Sequence, residues 1–197
     1  DEVITGFGRT GTWFACESMG IEPDTITVAK ALTSGYQPLS AVLVGDRMAD
    51  VLAQGGEYYH GYTYSGHPVC CAVGLANLDI IEREGLIDRV RDDTGPYLVE
   101  RLKSVVGDHD LTGEIRGFGL LAAIEIVKDA ETKERFEPAG HAAGLVRDHS
   151  IAAGMMMRAV GDTMILSPPL TWTRETIDMA ADIVKSALDA AHKELTA

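Results

Sequence analysis

The stretch DEVITGFGRTGTWFACESMGIEPDTITVAKALTSGYQPLSAV, residues 1–42, decides the fold. TITVA at 25–29, and SAVLVG at 40–45 running just past the quoted end, are short, apolar and rich in β-branched residues. Such runs suit buried strands, because a branched Cβ packs well on a pleated surface and a strand covered on both faces needs no polar alternation. Residues 1–5 read as the end of a further strand, and GFGRTG at 6–11 as a loop whose glycines tolerate positive φ. GFGRTG also matches G-x-G-x-x-G, but that fingerprint must open a helix packed on its strand. The TWFACESMG that follows is too short and is closed by Gly20 and Pro23, so loop chemistry is the better reading.

Lys30 ends the first run, flanked by Val28, Ala29, Ala31 and Leu32. An ammonium in apolar surroundings is costly unless it is paired or its amine is meant to be neutral. Desolvated lysines supply the nucleophilic amine that carbonyl and cofactor chemistry requires. The plain alternative is a lysine that snorkels to water. Asp1 stands 29 residues upstream. An acid at one strand end beside a lysine at a neighbouring strand end is the pair a pyridoxal site needs, the carboxylate facing the pyridine nitrogen while the amine holds C4′. A carboxylate about 4 Å from that nitrogen gains roughly 4 kcal/mol at an effective dielectric near 20. That equals about three pKa units, enough to keep the ring protonated as an electron sink.

Working outward, Asp46 is placed to cap a short helix to about Ala53, closed by the Gly55–Gly56 pair. HPVCCAVGLANLDIIER at 67–83 is a helix by apolar spacing, with Pro68 in its first turn and Ser65 as a cap candidate. A second helix is expected over 86–105, bent or interrupted at Gly95-Pro96. After Gly107 the pattern becomes extended over 115–127, helical over 139–153, a hairpin over 155–166 turning at Gly161-Asp162, and a closing amphipathic helix over 174–195. The expected organisation is residues 1–84 as part of a large α/β domain, then 85–197 as a connecting helix and a small α+β domain.

The 197 residues suffice to bury a core. A net charge of −13 argues against nucleic acid and anionic membrane partners, which call for clustered Lys and Arg. Only Cys16, Cys70 and Cys71 occur, two of them adjacent, so neither a disulfide framework nor a CxxC metal site can be built. A reducing cytoplasm fits. No run approaches the roughly 18 apolar residues of a membrane span. Asp1 leads straight into apolar sequence, and further sequence upstream of it is expected.

These residues carry a resemblance. The opening stretch resembles the cofactor-binding region of class III aminotransferases, and HGYTYSGHP at 60–68 with MMMRAVGDTMILSPPL at 155–170 resembles their omega-amino-acid or amine:pyruvate branch. The resemblance implies the second half of the type I pyridoxal-enzyme large domain followed by a small C-terminal domain. It implies pyridoxal 5'-phosphate as cofactor, with Asp1 on the pyridine nitrogen, Val3 on the ring face and Lys30 as the Schiff-base lysine. Thr63 inherits a contact to the phosphate of the neighbouring subunit in a homodimer, assisted by the backbone N–H of Tyr62. Arg158 inherits the grip on the substrate carboxylate and swings aside for apolar amines. The implied reaction moves an amino group from an amine or omega-amino acid to pyruvate or a similar keto acid; no metal, nucleic acid or membrane takes part. The family's phosphate loop, its stacking aromatic and part of its pocket are absent from this sequence, so the chain by itself is expected to be inactive. The alternatives are a decarboxylase or aminomutase of the same family, or a non-catalytic remnant that only dimerises.

Read without the resemblance, Arg158 is a surface charge beside an apolar strand, and Met155, Met156 and Met157 are packing residues. His60 and His67 are structural, Arg9 is held against a carboxylate, and Glu125 points outward or toward an arginine.

Overall fold

The two apolar runs of the opening stretch pair with each other. In the computed structural model, which describes residues 1–55 and 57–197, a short α1 (Ala15–Ser18) leads to β1 (Thr25–Val28), which pairs antiparallel with β2 (Ala41–Val44). The register runs from Thr25↔Val44 to Val28↔Ala41. Burial departs from the expectation of covered strands. Val28 is buried, but all of β2 is exposed, Val42 at 59%. A two-stranded sheet has two faces to cover, and the described residues lay nothing over β2. Residues 1–5 also do not form a strand. The Glu2 N–H donates to Thr27 O at 2.9 Å, and the chain then turns back as the Gly6 N–H donates to Glu2 O at 2.9 Å. A Cβ on Gly6 would sit 2.8 Å from Glu2 O, so this turn requires glycine.

Gly45, not Asp46, is the N-cap of α2 (Asp46–Ala53), and Asp46 sits in the first turn, where its charge still favours the helix dipole. Gly56, expected to help end this helix, lies outside the described residues. Pro68 opens α3 (Pro68–Arg83) as its missing N–H predicts, with His67 rather than Ser65 at the N-cap. The expected helix over 86–105 is α4 (Leu86–Arg89), one π turn at Val90–Thr94, and α5 (Gly95–Val106). The interruption has a local cause. Pro96 has no N–H to bond the carbonyl four residues back, and its ring crowds that carbonyl, so the turn before it widens. Gly95 accommodates the widening, since a Cβ there would lie 2.4 Å from Val90 O.

Two compact units divide within this interrupted helix, Asp1–Arg89 and Val90–Ala197. The second is a four-stranded antiparallel sheet with helices on one face. Its strands are β3 (Thr112–Phe118), β4 (Leu121–Ile126), β5 (Arg158–Val160) and β6 (Thr163–Leu166), in the order β3-β4-β6-β5. The run at 115–127, read as one extended segment, folds instead into the β3–β4 hairpin at Gly119, whose φ is 59°. Along β4 Ala122, Ile124 and Ile126 alternate inward to meet Met164 and Leu166 of β6. Onto that face pack Leu98, Leu102 and Val106 of α5, Ala142, Ala143 and Val146 of α6 (His141–Ala152), and one stripe of α7 (Arg174–Leu195). The stripe, Ile177, Ala181, Val184, Leu188 and Ala191, keeps helical spacing throughout. Thr173 caps α7, its hydroxyl accepting the Thr176 N–H at 3.3 Å. Among the described residues no helix is long and apolar enough to cross a membrane.

Candidate active site

The β1 strand delivers Lys30 into a strained turn. Ala29 is extended, then Lys30 takes a left-handed φ of 43° and opens a 3₁₀ turn over Lys30–Leu32; Ser34 follows with φ 49°. Each such non-glycine residue costs about 1–3 kcal/mol and persists only where its surroundings over-determine it. Here Asn77 of α3 donates through Nδ2 to Ala31 O at 2.8 Å and Leu32 O at 3.2 Å, and the Ser34 hydroxyl donates to Asn77 Oδ1 at 2.7 Å. Thr33, 1% exposed, donates its hydroxyl to Gln37 O at 2.5 Å. At about 0.5–1.5 kcal/mol net apiece, these four bonds are of the same size as the strain they hold. Gly74 lets α3 come close, since a Cβ there would lie 3.2 Å from Leu39 Cδ2 and 3.7 Å from Leu32 O.

The apolar setting expected for Lys30 is not found within the chain, because the left-handed turn swings the side chain out and leaves it exposed. Its amine makes no ion pair or hydrogen bond among the described residues.

Asp1 and Val3 are held beside β1, which ends two residues before Lys30, by the Glu2–Thr27 backbone bond. The Asp1 side chain is exposed and accepts the Val3 N–H on Oδ1 at 2.8 Å, while Val3 is half-buried. Between them Glu2 turns inward to 6% exposure, a residue that sequence reasoning passed over. Its Oε1 accepts the Cys16 N–H at 2.8 Å, and its Oε2 accepts the Ala15 N–H at 3.1 Å and the Thr5 hydroxyl. Burial alone works against its ionised form. The Thr5 hydroxyl and the N–H groups of Cys16 and Ala15 outweigh it, holding the carboxyl below its ordinary value. The only signal in the sequence was its place between the two candidate residues: if they face outward on extended chain, it faces in.

Tyr62 and Thr63 are exposed on the loop that enters α3. The Tyr62 N–H donates to Ser65 Oγ at 3.1 Å and the Ser65 N–H returns to Tyr62 O at 2.9 Å, so the N–H proposed for a phosphate already has an exchangeable partner. The His60 ring stands edge-on to Tyr58 and Tyr62 at 5.7 and 5.2 Å.

In the second unit, Arg158 opens the edge strand β5 opposite Ile165 and is exposed. It lines an apolar cavity of about 800 Å³ together with Met155, Met157, Leu166 and Trp172. Arg147, on the same cavity, is paired with Asp148 at 2.7 Å, whereas Arg158 has no acidic partner among the described residues. Glu125 points toward arginines rather than to open solvent: Arg135 at 3.0 Å and Arg116 at 3.6 Å.

The sequence profile described as Aminotransferase class-III matches residues 1–188. The chain belongs to the class-III aminotransferase family. It is 50% identical to a putrescine–pyruvate aminotransferase of Pseudomonas aeruginosa over 96% of this chain and 41% of that protein. It is 46% identical to a diaminobutyrate–2-oxoglutarate transaminase of Halomonas elongata over 100% of this chain and 43% of that one. Among solved structures, an omega transaminase of Pseudomonas jessenii in complex with PMP superposes with a TM-score of 0.92 at 38% identity, covering 100% of this chain and 44% of that chain. The class-III chain therefore spans less than half the length of the curated relatives it matches, and its α/β architecture is that of a part of the type I pyridoxal-enzyme fold.

The residues present fit the pyridoxal group that the family implies. A strained turn presents an unpaired amine, and a carboxylate and a half-buried valine lie beside the strand that carries it. The exposed Thr63 hydroxyl, on the loop that enters α3, is of a type that could donate to a phosphate. Amine, carboxylate, apolar face and hydroxyl match the aldehyde, ring nitrogen, ring face and phosphate of that cofactor.

Proposed function

We propose that the intact enzyme is a pyridoxal-phosphate-dependent transaminase that moves an amino group from an amine or omega-amino acid to pyruvate or a similar keto acid. One observation carries this reading: a left-handed, hydrogen-bonded turn holds Lys30 with a free amine at the end of β1, next to the segment bearing Asp1 and Val3. When bound, the cofactor supplies the electron sink that stabilises a carbanion next to nitrogen. Lys30 Nζ would hold it covalently, and as a free amine the same nitrogen would serve as the base and acid that moves the substrate Cα proton. The Asp1 carboxylate keeps the ring nitrogen protonated, and Val3 packs on the ring face. Thr63, helped by the Tyr62 N–H, reaches the phosphate held mainly by the partner protomer of a homodimer. Arg158 clasps the carboxylate of the omega-amino acid or of pyruvate with two charge-assisted hydrogen bonds, and its lack of an acidic partner among the described residues supports that role. The two units act as the later part of the large cofactor domain and as the small domain of a cytoplasmic enzyme. The names of the relatives, one acting on putrescine and pyruvate, support this choice of substrates.

The test uses the intact protein loaded with pyridoxal phosphate and reduced with borohydride. Mass spectrometry should find the cofactor fixed to Lys30, and Lys30→Ala should lose that adduct and at least 10² to 10⁴-fold in turnover, roughly the share of general acid–base catalysis. An unmodified Lys30, or a Lys30→Ala protein that turns over normally, removes the reading.

A further inference from the structure

Asn77 sits on the face of α3 turned toward the Lys30 turn, close after Gly74. Its amide orientation is dictated by chemistry. Ala31 O and Leu32 O can only accept, so the side chain that faces both must present N–H, and Oδ1 is thereby left for the Ser34 hydroxyl. A single side chain, 46 residues away from Ala31, thus ties down the two carbonyls that follow Lys30 and the second left-handed residue of the turn.

We propose that Asn77 is a positioning residue for Lys30: it holds the left-handed backbone that aims the lysine amine, and it acts on the cofactor only through that amine. This rests on Lys30 being the cofactor lysine. Released from Asn77, the Ala31 and Leu32 carbonyls lose the partners that keep them aligned, and Lys30 relaxes to an ordinary negative φ that redirects its Cα–Cβ bond. The amine then reaches the cofactor aldehyde only from a less favourable backbone. Asp at this position has the size and shape of Asn but cannot donate, and it would set a carboxylate oxygen against two carbonyls.

The experiment is a double-mutant cycle on pyridoxal phosphate affinity, read by absorbance titration of the intact protein in four forms: native, Asn77→Asp, Lys30→Ala and both together. Asn77→Asp should weaken binding about tenfold when Lys30 is present and by less than about twofold when residue 30 is alanine. Equal weakening in both backgrounds would mean that Asn77 only supports the fold, and no weakening in either would mean that it does not reach the site; both overturn the proposal. Ser34→Ala, which removes the hydroxyl from Oδ1 at an exposed position, goes through the same cycle. It should weaken binding about two- to threefold in the Lys30 background alone, and it decides the matter if Asn77→Asp does not fold. A native protein with no borohydride-fixed adduct, bound no tighter than Lys30→Ala, would remove the assignment of Lys30 itself. An adduct on Lys30 without coupling to Asn77 would sink this proposal alone.

Discussion

At Lys30 the backbone conformation and the exposure of the side chain have one cause. A residue at φ 43° leaves the line of its strand, so the apolar neighbours Val28 and Ala29 pack while the amine swings free. Arg158 shows the same economy of partners, a guanidinium on an apolar cavity with no acid set against it among the described residues. In the intact enzyme Arg158→Ala should cut kcat/KM for pyruvate roughly ten- to hundredfold, the equivalent of a charge-assisted pair at about 1.5–3 kcal/mol. A simple amine without a carboxylate should lose far less; equal losses measured separately in the two half-reactions would place Arg158 in the scaffold. Glu2 is the opposite case, a carboxylate fully engaged inside the chain. Its folded-state pKa is lowered, so its contribution to stability is present above the ordinary carboxyl pKa and is lost as pH falls through the lowered one. Glu2→Gln should therefore destabilise by about 1.5–3 kcal/mol at neutral pH in denaturant unfolding, and the gap to the native protein should close in acid. A gap that stays constant with pH would show that the charge contributes nothing.

At the scale of elements, two glycines that let helices approach their neighbours differ in what they face. At Gly95 an added Cβ meets the backbone, Val90 O at 2.4 Å and Gly119 Cα at 2.9 Å, neither of which can yield without moving the π turn or the β3–β4 hairpin. At Gly74 the nearest atom is the end of a leucine side chain at 3.2 Å, which can rotate away. Gly95→Ala should thus destabilise by at least about 1–3 kcal/mol, the range for overpacking. Gly74→Ala, helped by a helix preference of about 0.5–1 kcal/mol for alanine, should stay within about 1 kcal/mol of the native protein. Midpoints of urea unfolding compare the two, and a Gly95→Ala protein as stable as Gly74→Ala would show that the π turn is free to shift.

For the molecule as a whole, the first unit leaves apolar surface uncovered while the second closes a full core. The whole of β2 and the side chains of Tyr58, Tyr59, Tyr62 and Tyr64 are exposed, in a chain that spans less than half the length of its relatives. If Thr63 contacts a phosphate held by the partner protomer, the cofactor binds the dimer better than the monomer and stabilises it by mass action. Thr63→Ala in the intact enzyme should raise the pyridoxal phosphate dissociation constant more than it lowers kcat at saturating cofactor, and it should weaken the gain in melting temperature on adding cofactor. A variant with unchanged cofactor affinity would detach Thr63 from the phosphate.

What the sequence alone determined is whatever depends on near neighbours along the chain. The stripe from Ile177 to Ala191 is written at helical spacing, Pro68 marks the start of α3, and Gly161-Asp162 turns β5 into β6. Pro96 broke its helix where a missing N–H and a crowded carbonyl must break one. The tertiary structure alone decided what covers each apolar face and which distant groups meet. It bent 115–127 at Gly119, left β2 open, turned Glu2 inward to Ala15 and Cys16, and brought Asn77 to the carbonyls after Lys30. Periodicity states which side of an element is apolar, but a hydrogen bond across 46 residues depends on how two elements pack, and no local pattern encodes that.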